Sequence, residues 1–191
     1  MLHADLLVCV DYLIGAIEGF APYFQDEICA RLEKMLTPGG RMYLVGLQPL
    51  SESQAPANTS DSDILEAGKL IQEVARTRDA CLLLAGGHIY REFPIEWSQR
   101  QLEKAGLIVT DSVRLVNVCT RSVITRQLDV GRRYVLLLTD TELRGHLLQA
   151  LDRLDQRLEE KFGASKLTND EQRKICFGFD YVIAARKPIQ T

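Results

Sequence analysis

Two stretches of this chain carry side chains able to do chemistry. Asp11 and Tyr12 close the short apolar run Asp5-Leu6-Leu7-Val8-Cys9-Val10, and Gln48 follows a second such run, Met42-Tyr43-Leu44-Val45. In open α/β sheets ligands sit beyond the carboxyl ends of parallel strands, so these ends are where a site is expected. Further along, Gly86-Gly87-His88-Ile89-Tyr90-Arg91-Glu92-Phe93 concentrates His, Tyr, Arg and Glu in a turn-forming segment suited to substrate contact. The ordinary pKa of a histidine lies near neutrality, which makes His88 a candidate general base, or otherwise a surface or capping residue. Trp97 reads as a core anchor or as a ring for substrate stacking. Arg91 and Glu92 read as substrate contacts or as a local ion pair.

The elements that must position these groups follow from periodicity. Residues 5–11, a continuous apolar run closed by an acid, suit a strand buried on both faces of a parallel sheet. Ile28, Leu32, Met35 and Leu36 recur at helical spacing until Thr37-Pro38-Gly39-Gly40, which predicts a helix stop, with a strand resuming over 41–46. Residues 50–62, rich in Ser, Pro, Ala, Asn and Asp, predict an exposed loop. A helix is expected from Asp63 through Cys81, capped from residues 60–63 and ending at Gly86-Gly87. Another runs from Ile95 to Ala105, with Pro94 in its first turn and Gly106 as its cap, and a strand follows over 107–118. Residues 121–163 are helical in pattern, clearest in Leu143, Leu147, Leu151, Leu154, Leu158 and Phe162, with Thr139 and Glu142 as a capping box. A last strand is expected over 177–185.

Bulk properties bound the function. At 191 residues, 46% hydrophobic and 26% charged, one soluble globular domain over 1–191 is expected. A formal net charge of -3 supplies no positive field toward phosphate backbones, so nucleic acid is unsupported as a partner. The apolar runs fall short of the roughly 18 to 20 residues of a membrane span, and residues 1–5 show no secretory pattern; the expected location is cytoplasmic. The five scattered cysteines form no C-x-x-C and are read as buried free thiols rather than disulfides or zinc ligands, and no metal site is expected.

Taken in order, strand, helix, Pro-Gly-Gly turn, strand, helices, glycine-capped helix, strand, helical insert and strand, the chain resembles the C-terminal half of a class I S-adenosylmethionine-dependent methyltransferase. Residues 6–12 match the fourth strand with its acidic end, and 32–45 match a helix, Pro38-Gly39-Gly40 and the fifth strand. Leu102-Glu103-Lys104-Ala105-Gly106-Leu107 matches the helix end leading into the sixth strand, 121–163 an inserted helical hairpin, and 176–188 the seventh strand. The resemblance implies a partial Rossmann-like α/β sheet of strands four to seven, the last antiparallel beside the fifth, with helices on both faces. It also implies that Asp11 orients a nucleophile or accepts its proton, that Asp11 and Tyr12 face S-adenosylmethionine, and that the 86–93 region, with Gln48 and Trp97, contacts the acceptor. The family's glycine-rich loop and the acid ending its second strand would precede residue 1.

Two functions follow as expectations. One is methyl transfer by a fragment or subunit that does not bind the cofactor alone. The other is a non-catalytic, methyltransferase-like interaction subunit or truncated relic. In either case the strand of residues 6–10 would be an exposed sheet edge, covered by a missing N-terminal half, a separate subunit or a second copy of the chain. The methyl acceptor is unknown at this stage. A phosphate-cradling glycine pattern of an unrelated nucleotide-binding protein is not seen.

Overall fold

The computed structural model describes residues 4–9, 12–49, 62–163 and 175–189. In chain order the elements are β1 (Ala4–Cys9), α1 (Leu13–Phe20), α2 (Gln25–Met35), β2 (Leu36–Leu47), α3 (Ser62–Leu84), α4 (Ile95–Lys104), β3 (Ile108–Cys119), α5 (Arg121–Val135), α6 (Thr141–Phe162) and β4 (Ile175–Arg186). The chain divides into two compact units. The first draws on Met1–Pro49, Tyr90–Val116 and Phe179–Thr191, the second on Leu50–Ile89 and Asn117–Gly178. The expected loop over 50–62 lies outside the described residues except for Ser62, which is already the first residue of α3.

The four strands lie in the order β1-β2-β4-β3. β1 runs parallel to β2, with Cys9 opposite Leu44, and β4 runs antiparallel to β2, with Ile183 opposite Leu44. This is the arrangement the family resemblance implies: the last strand of the chain sits antiparallel beside the strand matched to the fifth.

Within the first unit burial alternates along β2 and the described part of β4, as the two-residue pleat demands, whereas residues 108–116 of β3 are exposed except for the half-buried Val109. Met42, Leu44, Tyr181, Ile183 and Ala185 are buried to 2% exposure or less. They share one core with Cys9, Ile14 of α1, Cys29 of α2, and Ile95 and Leu102 of α4. Helices were expected on both faces; within this unit α1, α2 and α4 gather on one. Opposite them on β1, Leu6 and Val8 remain 54% and 55% exposed. β1 is an edge of the sheet, with no strand on its outer side among the described residues.

Two local expectations are corrected. The Pro38-Gly39-Gly40 segment does not stop a helix in a free turn but belongs to β2, which begins at Leu36. Gly39 takes φ +80, its N–H donates to the Lys187 carbonyl at 3.0 Å, and Lys187 N–H returns a bond to Gly40 O at 2.9 Å. The pairing with β1 slips between Ala4 and Leu6 to absorb the extra residues as a bulge. With no glycine to cap it, α2 is closed from β4's end: Lys187 Nζ donates to the carbonyls of Glu33 (3.1 Å) and Leu36 (3.0 Å) and pairs with the Glu33 carboxylate at 3.0 Å. The cap of α6 is Asp140 rather than Thr139; its carboxylate accepts from Glu142 N and Leu143 N, both at 3.0 Å. An ionised acceptor serves the helix's positive end better than a hydroxyl.

In the second unit α3, α5 and α6 pack on one another around Leu70, Val74, Leu128, Leu151, Leu154 and Leu158. The α6 leucines expected from spacing supply this core. Cys9, Cys29, Cys81 and Cys119 are buried free thiols as anticipated, while the Cys176 side chain lies outside those described. Burial, with the charges of Cys9 and Asp26 adding to it, pushes the Cys29 thiol up to about 12.

An ion-pair network ties α5 to α6: Asp155 bonds Arg121 at 2.5 Å and Arg132 at 3.0 Å, and Arg132 also reaches Asp152 and Asp129, each at 3.0 Å. Burial by itself would raise the Asp155 carboxyl, but the two guanidiniums together outweigh it and hold it below the usual range. A depressed native value stabilises the fold above the unfolded value of about 3.9, and the contribution is lost as pH falls through the lower native one. Asp155→Asn is therefore expected to destabilise the helical unit by about 1–2 kcal/mol at pH 7. Its denaturation midpoint, followed by circular dichroism, should approach that of the unmodified chain as pH falls below about 3. Equal separation of the two curves at pH 7 and pH 2 would refute this account.

Candidate functional site

β1 and β2 are parallel, so their carboxyl ends open at the same end of the sheet. Asp11 lies outside the described residues. Tyr12 stands at the head of α1 in the left-handed region, with φ 56 and ψ 41, and its hydroxyl donates to Asp180 Oδ2 at 3.0 Å. Asp180 of β4 is the register partner of Leu47. Tyr12, Leu47 and Asp180 thus meet where the sequence places a ligand, and Asp180 is the member missed. Its only signal was a lone acid in an apolar final strand.

Gln48 sits at the same end but faces inward. It is 7% exposed, its Oε1 accepts from Ile95 N at 3.0 Å, and its own N–H donates to Phe179 O at 2.9 Å. Satisfying an orphan N–H at the start of α4 is a structural task. Beside it the Tyr181 ring lies over Gly46, where a Cβ would overlap the ring. The buried Tyr181 hydroxyl donates to Phe93 O at 3.0 Å, and since a phenol has one proton, Ser98 must donate to Tyr181 across their 2.7 Å contact. Burial raises the Tyr181 hydroxyl despite the Ser98 bond.

Phe93 leads back to the second predicted region. Gly15 of α1 allows the chain at Arg91 to cross closely: Arg91 N–H donates to Gly15 O at 3.2 Å, and a Cβ on Gly15 would stand 2.5 Å from Arg91 O. The Arg91 guanidinium pairs with Glu18 of α1 at 3.1 Å, and Gln25 Nε2 donates to the same carboxylate at 2.8 Å. Phe93 and Trp97 stack with centroids 4.3 Å apart and planes 27° from parallel. Arg91 and Trp97, both predicted, line a pocket of about 260 Å³ together with the unpredicted Glu18, Tyr23 and Gln101. Glu18 escaped notice because residues 13–20 were not read as a helix. Tyr90 and Glu92 are exposed and line no part of that pocket. His88 belongs to the second unit, exposed just after α3.

The described residues do not make a nucleotide cradle. No two glycines anywhere in the sequence are separated by a single residue, so the close backbone approach that a dinucleotide-type loop provides is missing. Among the described residues no three His, Cys, Asp or Glu side chains are placed to hold a metal, and no helix is long and apolar enough to cross a membrane.

Neither a family model nor a curated protein matches the chain. Solved structures of similar fold include the Bacillus halodurans protein BH2331, at 17% identity and TM-score 0.46 over 96% of this chain and 70% of that one. The YcgJ protein of Bacillus subtilis follows at 16% and 0.47, over 97% of this chain and 64% of that one. The cyclopropane synthase MmaA2 of Mycobacterium tuberculosis stands at 19% and 0.43, over 97% of this chain and 56% of that one. These likenesses are too distant to assign an activity.

The Gly46–Tyr181 contact gives a direct check on this architecture. Gly46→Ala should cost about 3 kcal/mol in urea denaturation because the ring cannot withdraw from a filled core. Tyr181→Phe should cost about 1–2 kcal/mol through the unpaired Ser98 and Phe93 groups. A neutral Gly46→Ala would show that the ring does not lie where the structure has it.

Proposed function

We propose that this chain supplies the C-terminal half of a class I methyltransferase fold, in the cytoplasm, and takes part in methyl transfer from S-adenosylmethionine when a complementary cofactor-binding segment lies against β1. The observation that carries the reading is the sheet itself: an order of β1-β2-β4-β3 with β4 antiparallel, and β1 at an edge. Parallel strands are ordinarily covered on both faces, whereas β1 turns Leu6 and Val8 to solvent. In this reading Asp11 and Tyr12 face the methyl donor, with Asp11 the candidate for taking the acceptor's proton. His88, Tyr90 and Glu92 are the candidates for acceptor contact.

A second reading, a non-catalytic interaction subunit, is favoured for the chain by itself because its described residues offer no glycine-rich cradle for the cofactor. One pair of measurements separates the two. Calorimetric titration with S-adenosylmethionine should show no saturable binding to the chain alone and clear binding once any upstream-encoded segment is restored; no binding in the restored protein discards methyl transfer. Light scattering of the chain alone should show association that Val8→Lys abolishes while the circular dichroism spectrum is retained. A well-folded monodisperse monomer of 21.5 kDa would discard the covered edge.

A further inference from the structure

The connection from α1 to α2 runs through Phe20-Ala21-Pro22-Tyr23-Phe24, an unbroken apolar stretch where a solvent-facing turn ordinarily carries polar residues. The fold does not bury it. Phe20 is 82% exposed, Tyr23 80% and Phe24 51%, with Pro22 exposed beside them. A packed aromatic side chain buries about 150–250 Å², so these rings leave on the order of 400 Å² of largely apolar surface in water. A patch of that size marks a contact surface rather than scattered exposed side chains.

The turn holds a fixed shape. Ala21 N–H donates to Ile17 O at 2.7 Å, Phe24 N–H to Ala21 O at 3.2 Å, and Ile28 N–H to Phe24 O at 3.0 Å. Tyr23 has φ 70, in the left-handed region, where a bulky side chain is an outlier and a glycine would sit without strain. A ring so exposed returns little to the fold for that strain, and backbone strain of this kind collects where a partner is bound.

Three features select the partner. Rings left this far outside project from the surface, which suits a yielding medium better than a flat protein face. The backbone is prepared for an apolar medium, since the Ala21 and Phe24 N–H groups are satisfied inside the turn and Pro22 has none. The charges around the tip are matched: Glu18 with Arg91 at 3.1 Å, Asp26 with Lys104 at 3.4 Å and Glu27 with Arg31 at 2.7 Å. Paired charges give an anionic surface no net attraction, whereas headgroups carrying both signs meet both signs here. A tyrosine with two phenylalanines suits the boundary where headgroups meet acyl chains.

We propose that the turn of residues 20–24 is a docking tip for a zwitterionic lipid surface, its three rings entering the headgroup boundary while the paired charges stay at headgroup level. A chain that lies on a membrane in this way needs no spanning helix. The proposal stands or falls separately from methyl transfer.

Flotation of the full chain with phosphatidylcholine vesicles through a sucrose gradient tests it. Half of the chain should float at about 1 mM lipid, roughly tenfold weaker than a single myristoyl chain achieves. Phe20→Ser should weaken flotation about tenfold. Tyr23→Gly, which the backbone accommodates, should weaken it about fivefold with the circular dichroism spectrum unchanged. Val8→Lys, on the sheet edge, should float as the unmodified chain does. Absence of flotation at about 10 mM lipid overturns the proposal and leaves the rings to a protein partner. Flotation that both ring substitutions leave intact overturns it too, as does flotation that requires phosphatidylserine and vanishes in about 0.5 M salt.

Discussion

The pairing of β2 with β4 is the constraint on which the first unit depends. β4 lies near the end of the chain, yet it occupies an inner place in the sheet, between β2 and β3. Gly46 is bare because Tyr181 fills the space above it, and the same Tyr181 hydroxyl ties down Phe93 and Ser98. Lys187, just past β4, closes α2 by capping its last carbonyls. The strand therefore anchors the sheet, the C-terminal end of α2 and the approach to α4 together. Contacts so distant in sequence are made late and slowly, because the intervening chain must first be brought together.

That coupling also explains what the sequence could and could not disclose. The order of strands and helices was readable because each runs on local periodicity: the residues of β1, the leucines of α6 and the glycine after α4 declare themselves. Pro38-Gly39-Gly40 misled because its turn chemistry is genuine, while its role in a bulge depends on Lys187 bonding to it from far along the chain. α1 went unread because Leu13-Ile14-Gly15-Ala16-Ile17 carries a glycine where a helix former is expected. That glycine is there to admit the backbone at Arg91. In each case tertiary approach overrode the local signal.

The candidate site divides in the same way. Tyr12 heads α1 beyond the carboxyl end of β1, a position that needs only the strand's direction to be foreseen. Gln48 obeyed the same rule and still turned inward, because an uncapped helix start nearby competes for its oxygen. Arg91 was chosen for its chemistry, but its partner Glu18 comes from α1, and no spacing rule joins those positions. Sequence reading found groups capable of chemistry and missed the buried groups that orient them.

Energetics narrow what can cover the open edge. Fully burying a leucine or valine side chain is worth about 1.5–3 kcal/mol, so the exposed halves of Leu6 and Val8 offer roughly 1 kcal/mol each. A six-residue strand adds backbone hydrogen bonds at about 1 kcal/mol apiece. Free association costs some 4–15 kcal/mol in lost motion and ordering. A lone strand laid along β1 therefore comes close to zero net gain. A durable cover must bring apolar helices to the face of Leu6 and Val8 as well as a strand to the edge, or be tethered so that the association cost is already met. The other half of a sandwiched α/β sheet would meet both conditions, and two copies would meet the first by packing face to face as well as edge to edge.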